Sequence, residues 1–375
     1  MKNERNYGLD LYRLLAMLMI TILHVNAPLL NLIGGIHGKS VYFTGWFLET
    51  ICFCGVNCFA ILTGYLSHPG QEHYDSRWFQ KIFDFWGKTV LFCVILYFPL
   101  IWIFPQIGFD KKMFSSFFYI GDLWYAGAYL GLLLFLPILS GIMSRFSVRE
   151  QVVFFAVTFF FLCVLKTIDF ATPFLRIEKG YSTIWLMVCY CWGQVLQSIA
   201  PRILQWKHHT AILTVGAVIG AVVPFIVLLC GSCFAVVENI LYKLGYRCDF
   251  LIDYLSPFCV LEAVCLLLLF SKIRIENQKI QKSITFLSVY SFGIYLFQCH
   301  PVIWYEFIVR KNHIPESALQ ITWKFIAITL GLYIAGIVFY FFISKLYQII
   351  RFSYIGKFCF QWLEKSLLKL NSKSK

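Results

Sequence analysis

The stretch YGLDLYRLLAMLMITILHVN, Tyr7 to Asn26, decides how this chain is read. It is almost continuously apolar, yet it carries Asp10, Arg13 and His24. Ionisable groups are costly in hydrocarbon and mark functional sites when they occur there. An α-helix turns about 100° per residue, so the step from Arg13 to His24 is about three turns plus 20°. The two side chains therefore share one face, separated by about 16 Å along the axis. Asp10 lies one turn before Arg13, a spacing at which carboxylate and guanidinium pair. A guanidinium is a fork for phosphate, and an imidazole is a general base near neutral pH. A ligand with phosphates at one end and a reactive group about 16 Å away fits both, and coenzyme A has that reach. The plainer readings are an arginine that snorkels to headgroups and a histidine bonded to a neighbouring helix.

Working outward, the 375 residues are 59% hydrophobic with a mean hydropathy of +0.72. Only 14% are charged, against roughly 25% in soluble domains. The expected fold is all-α, a polytopic integral membrane bundle of about ten transmembrane helices. The ten segments run Leu9–Pro28, Gly45–Leu66, Phe83–Phe104, Gly121–Ile142, Val148–Leu165, Thr183–Ala200, Ala211–Leu229, Leu255–Phe270, Phe286–Val309 and Leu319–Ser344. With the N-terminus in the cytoplasm, about 20 Lys and Arg fall on inner segments and about 10 on outer ones, which puts both termini inside. Residues 1–344 form the membrane domain. Residues 345–375 read as a basic amphipathic tail on the inner membrane surface.

The net charge of +13 belongs to those inner loops. It does not argue for nucleic acid, because no hydrophilic stretch is large enough to be a basic soluble domain. The first apolar segment lacks a small-residue exit, so it reads as a retained span and not as a cleaved signal. CFCGVNC (Cys52 to Cys58) matches no zinc spacing and reads as small hydrophobes in a helix, and no metal is expected. Cys230, Cys233 and Cys248 share one outer region, but spacing alone does not pair them. His208 and His209 read as solvated loop residues. No internal repeat is evident, which weighs against the repeat-built transporters.

Four motifs, in order along nearly the whole chain, resemble the membrane-bound acyltransferase-3 family. The first is LDLYRLLAMLMITILHV, with its Arg and, ten residues between, its His. The second is CFAILTGYL (Cys58 to Leu66), with Thr63 where the family has serine. The third is LWYAGAYLGLLLFLPIL (Leu123 to Leu139), and the fourth SFGIYLFQCHPVIW (Ser291 to Trp304). The resemblance implies a plasma (inner) membrane O-acyltransferase. It would move an acyl group, usually acetyl, from cytoplasmic acyl-CoA to a hydroxyl of capsule, O-antigen, exopolysaccharide or lipid-linked sugar. Acetyl-CoA would be a donor substrate and not a resident cofactor. By that likeness His24 is the catalytic base, with Asp10 in its set through Arg13. Arg13, Thr63, Gly64, Tyr65, Arg77 and Lys81 would hold the acyl-CoA. Trp124, Tyr125, Tyr295, Gln298, His300 and Glu262 would meet the acceptor. Gln298 stands where many relatives have His, and glutamine cannot serve as a base, so that position binds only or His300 takes part of its role. Tyr125, Tyr129 and Tyr295 are open alternatives for an acyl-enzyme nucleophile. Glu262, midway along its segment, either pairs with a basic group such as Lys324 or serves His24 and the sugar. The rival from another class is a transporter or flippase for a lipid-linked glycan, which needs no phosphate-binding end on the first helix.

Overall fold

A computed structural model describes residues 5–33, 40–168, 177–310 and 318–352. Among them the chain is helical with no strand. Apolar runs of this length admit little else, because hydrocarbon offers the backbone no partners and a helix satisfies its own. In order, α1 is Tyr7–Ile33, α2 Ser40–Cys52, α3 Gly55–Leu66, α4 Ser76–Ile103, α5 Lys111–Tyr119 and α6 Trp124–Arg145. Next, α7 (Val148–Phe159) runs through a π-turn (Phe160–Leu165) into α8 (Lys166–Ile168). Then come α9 Thr183–Ile203, α10 His209–Cys233, α11 Ala235–Lys243 and α12 Pro257–Ser271. The last are α13 Gln278–Tyr290, α14 Phe292–Cys299, α15 Pro301–Ile303 with a π-turn Trp304–Val309, and α16 Ala318–Phe352.

Each of the ten expected segments has a helical counterpart, but the count of full spans is lower. Among the described residues eight helices are long and apolar enough to cross a membrane, and a bent pair, Gln278–Cys299 with Pro301–Val309, makes nine. The tenth, α12, has 15 residues. That is about 22 Å of helix, short of a hydrocarbon core of about 30 Å. Pro257 starts it at the first helical position.

Several expected boundaries move for local reasons. Asp75 caps α4, accepting from the N–H groups of Arg77 and Trp78 at 2.9 Å each. Arg77 and Lys81, expected on a loop, therefore lie in the opening turns of α4. The late span breaks by 59° at His300, the extended residue that Pro301 demands before it. The helix expected to stop at Ser344 continues to Phe352. The rest of the expected tail lies outside the described residues.

The first helix is the axis of the bundle. It packs against α2, α3, α12, α13, α14 and α16. Tyr12 donates its hydroxyl proton to the Ala263 carbonyl at 2.7 Å, and Tyr333 donates to the Leu14 carbonyl at 2.6 Å. The closest approach elsewhere is α3 on α9. A Cβ on Gly64 would sit 1.9 Å from the Tyr190 carbonyl oxygen, and one on Gly193 would sit 2.1 Å from that of Ile61. Small residues that let backbones touch are the usual cement of membrane helices. Gly64→Val is therefore expected to force α3 off α9, at about 1–3 kcal/mol or more, read as a fall in the thermal midpoint of the purified protein. Gly141→Ala, with open space around it, is expected to leave the midpoint in place. Equal midpoints for both variants would contradict the packing.

Candidate active site

The site grows from the far half of α1. Pro28 sits inside this helix and has no N–H to offer the His24 carbonyl four residues back. The histidine thus stands where the helical ladder is already interrupted. Its imidazole points into the bundle. The ring lies edge-on to Trp304 at 5.6 Å and near Tyr295 at 6.4 Å, and Nδ1 is 3.6 Å from the Cys299 sulfur.

His24 faces a small chamber of about 90 Å³. Its walls come from widely separated parts of the chain. Ala27 and Glu49 close one side, Phe53 and Val56 the break between α2 and α3, and Trp124, Tyr125, Tyr181, Tyr254 and Tyr295 the aromatic remainder. The aromatic groups brace one another. Tyr125 donates its backbone N–H to the Tyr295 hydroxyl at 3.1 Å. The Trp124 ring lies 4.6 Å from Tyr181, which lies 5.0 Å from Tyr254. Glu49 accepts from Asn26 Nδ2 at 2.8 Å, and the same amide donates to the Gly45 carbonyl at 2.9 Å. This fixes a carboxyl group at the mouth of the chamber.

Beyond that mouth lies a larger vestibule of about 590 Å³ at the end of the bundle where α1 finishes. The two spaces share Ala27 and Glu49.

At the opposite end, where α1 begins, Asp10 is buried among cations. It takes Arg5 Nε at 2.6 Å, Arg13 at 3.4 Å and the Ser288 hydroxyl at 2.8 Å. Arg13 also donates to Ser288 at 2.9 Å. Arg13 turns to Asp10 and Ser288, and His24 to the chamber. Arg13 does not line the chamber; Tyr125 does, and Tyr129 stacks on it with centroids 6.1 Å apart. Asp10 is about 21 Å from His24 along the helix. It joins Arg13 and not the imidazole, so any part it takes in chemistry passes through the arginine.

The remaining residues singled out in the sequence divide. Trp124, Tyr125 and Tyr295 reach the chamber. Glu262 does not line it; it packs against Gly220 beside the Cys54 thiol. Gln298 is fully buried, with neither amide atom partnered among the described residues. His300, also fully buried, turns toward α4, its Nε2 3.3 Å from the Cys93 carbonyl. Near Arg13's end, the Thr63 hydroxyl donates to its own helix at Phe59. Gly64 serves the contact with α9, and the Tyr65 carbonyl accepts from Gln197. Arg77 pairs with Asp75, and Lys81 with Glu72. The structure does not bring these five to the chamber. Glu49, Tyr181, Tyr254 and Cys299 were without a role in the sequence reading. Only Glu49 carried a signal, an acidic residue in an apolar run.

The profile of the acyltransferase-3 family, described as an acyltransferase domain, matches residues 6–345. The chain belongs to that family. No curated protein and no solved structure matches it.

The cluster around Asp10 can be tested directly. Asp10→Asn removes the carboxylate that holds Arg5 and Arg13, whereas Ser288→Ala removes hydrogen bonds worth about 1 kcal/mol each. Both arginines keep partial exposure, which weakens the ion pairs. The expected result is still a larger drop in thermal midpoint for Asp10→Asn than for Ser288→Ala. The reverse order would remove Asp10 as the centre of the cluster.

Proposed function

We propose that this membrane acyltransferase takes its acyl group, acetyl by family habit, from cytoplasmic acyl-CoA. The acceptor is a hydroxyl of a cell-envelope or exported glycan. The start of α1 faces the cytoplasm of the plasma (inner) membrane, in line with the distribution of Lys and Arg. The observation that carries this reading is the placement of His24. It lies inside the bundle on a chamber that opens to one end, on the same helix as an arginine at the other.

In this account Arg13 meets phosphate of the donor, and the pantetheine arm follows the file of Tyr129 and Tyr125 toward His24. The acceptor hydroxyl enters past Glu49. The unprotonated imidazole nitrogen takes the hydroxyl proton while the oxygen attacks the thioester carbonyl. The Tyr295 hydroxyl, on the chamber wall, serves as a donor to the oxygen that gathers charge. The new C–O bond forms, the C–S bond breaks, and the imidazolium returns its proton to the departing CoA sulfur. Direct transfer needs one base and no covalent intermediate. Family membership removes the main footing of the transporter reading.

Two variants test the roles in lipid nanodiscs with radiolabelled acetyl-CoA. His24→Ala is expected to lower acyl transfer by about 10²-fold or more with insertion and thermal midpoint kept. Undiminished transfer would remove His24 from the chemistry. Arg13→Ala is expected to raise the donor KM by more than it lowers kcat, since a phosphate contact made before and during reaction is uniform binding. An unchanged KM would leave Arg13 as an anchor only.

A further inference from the structure

The vestibule is lined by an uneven set of charges. Among the described residues it carries three carboxyl groups, Glu49, Glu238 and Asp249, against one guanidinium, Arg247. Arg247 pairs with Asp249, its Nε and Nη2 meeting the two carboxylate oxygens at 3.1 and 3.2 Å. Glu238 has no ion pair among the described residues, and Glu49 is held only by the uncharged amide of Asn26. What remains is acceptor oxygen. An ionised carboxylate accepts hydrogen bonds and donates none, so it complements a ligand rich in donors, which a sugar's hydroxyls supply. Between these groups stand Tyr42, Trp46, Tyr242 and Tyr246. Flat apolar rings with a few convergent polar groups are the usual lining of a small-molecule site, and about 590 Å³ lies within the usual range of about 300–1,000 Å³.

We propose that this vestibule is the acceptor subsite, and that it admits sugar units without acidic groups while rejecting uronic acids and other anionic sugars. The proposal rests on the acyl-transfer reading and deepens it, because the subsite and the His24 chamber share Ala27 and Glu49 as lining. A neutral sugar presents hydroxyl protons to Glu238 and Glu49. A uronate brings a further carboxylate against Glu238 and Glu49, with Asp249 and Arg247 paired to each other, and a cleft with an excess of one sign concentrates that repulsion. Sugar units next to the acylated one would also meet this lining, so the charge of neighbouring sugars decides access as well.

Cys248 supplies a readout independent of catalysis. It lines the vestibule, half-buried. Burial, with Glu238 and Asp249 nearby, pushes its thiol above the usual cysteine range. The Cys248 thiolate is what attacks maleimide, so raising the thiol's pKa slows the reaction at neutral pH. Glu238→Gln removes one of the charges that hold the proton on, and is expected to speed modification at fixed pH and shift its pH profile downward. Cys233 is exposed and lies outside the vestibule, so it serves as an internal control.

The test uses the full chain in lipid nanodiscs, with maleimide modification of Cys248 followed by peptide mass spectrometry. Maltotriose, cellotriose and chitotriose are compared with trigalacturonate at equal concentration and ionic strength. At least one neutral trisaccharide is expected to slow Cys248 modification about threefold or more, with trigalacturonate inert and Cys233 unaffected. Glu238→Gln is expected to narrow the difference. Protection by trigalacturonate equal to that by the neutral sugars, or no protection by any of them, overturns the proposal. Donor hydrolysis by the same preparation reports on the acyl-transfer reading separately, so the two can fail independently.

Discussion

Polar groups inside a membrane bundle must find their partners within the protein, and in this chain that demand falls on α1. The helix is enclosed by six others, and it carries Asp10, Arg13, His24 and Asn26 into that enclosure. An uncompensated polar group in an apolar setting costs about 1–7 kcal/mol, depending on the reference state. The surrounding helices answer in turn: Ser288 meets Asp10 and Arg13, Tyr295, Cys299 and Trp304 gather on His24, and Glu49 receives Asn26. Helices far apart in sequence are thereby fixed against one scaffold. The arrangement around His24 is a consequence of satisfying α1 as much as a site built for chemistry.

That enclosure also explains the division of labour along the helix. Cations and a carboxylate collect where α1 begins, close to one membrane surface. The imidazole lies deeper, bounded by aromatic rings that exclude bulk water and leave few polar atoms to compete for a proton. Past Glu49 the lining turns wide and acidic. A donor held by phosphate and an acceptor held by hydroxyls would approach from opposite ends and meet at one residue. Such a layout suits transfer between compartments, because neither substrate has to cross.

Much of this was legible in the sequence. Ten apolar segments announced the bundle, and the eleven-residue step from Arg13 to His24 marked the helix that matters. What periodicity could not reveal is which helices adjoin. Tyr181 and Tyr254 enter the chamber from loops beside α9 and α12, and nothing in their own neighbourhoods marks them. The breaks were hidden for another reason. The bend at His300 sits within a run that hydropathy reads as one span, although Pro301 was its warning. Gln298 and His300 follow Tyr295 closely in sequence. Neither lines the chamber, and His300 at the bend turns toward α4. Gly64, expected at the donor, instead gives room for the α9 backbone.

The most direct measurement is a high-resolution structure of the full chain in lipid with a non-hydrolysable thioether analogue of acetyl-CoA. The account requires the nucleotide phosphates at Arg13 and the acyl group inside the chamber, within hydrogen-bonding reach of the His24 imidazole. An analogue bound with its acyl group outside that chamber, and its phosphates away from Arg13, would contradict the account.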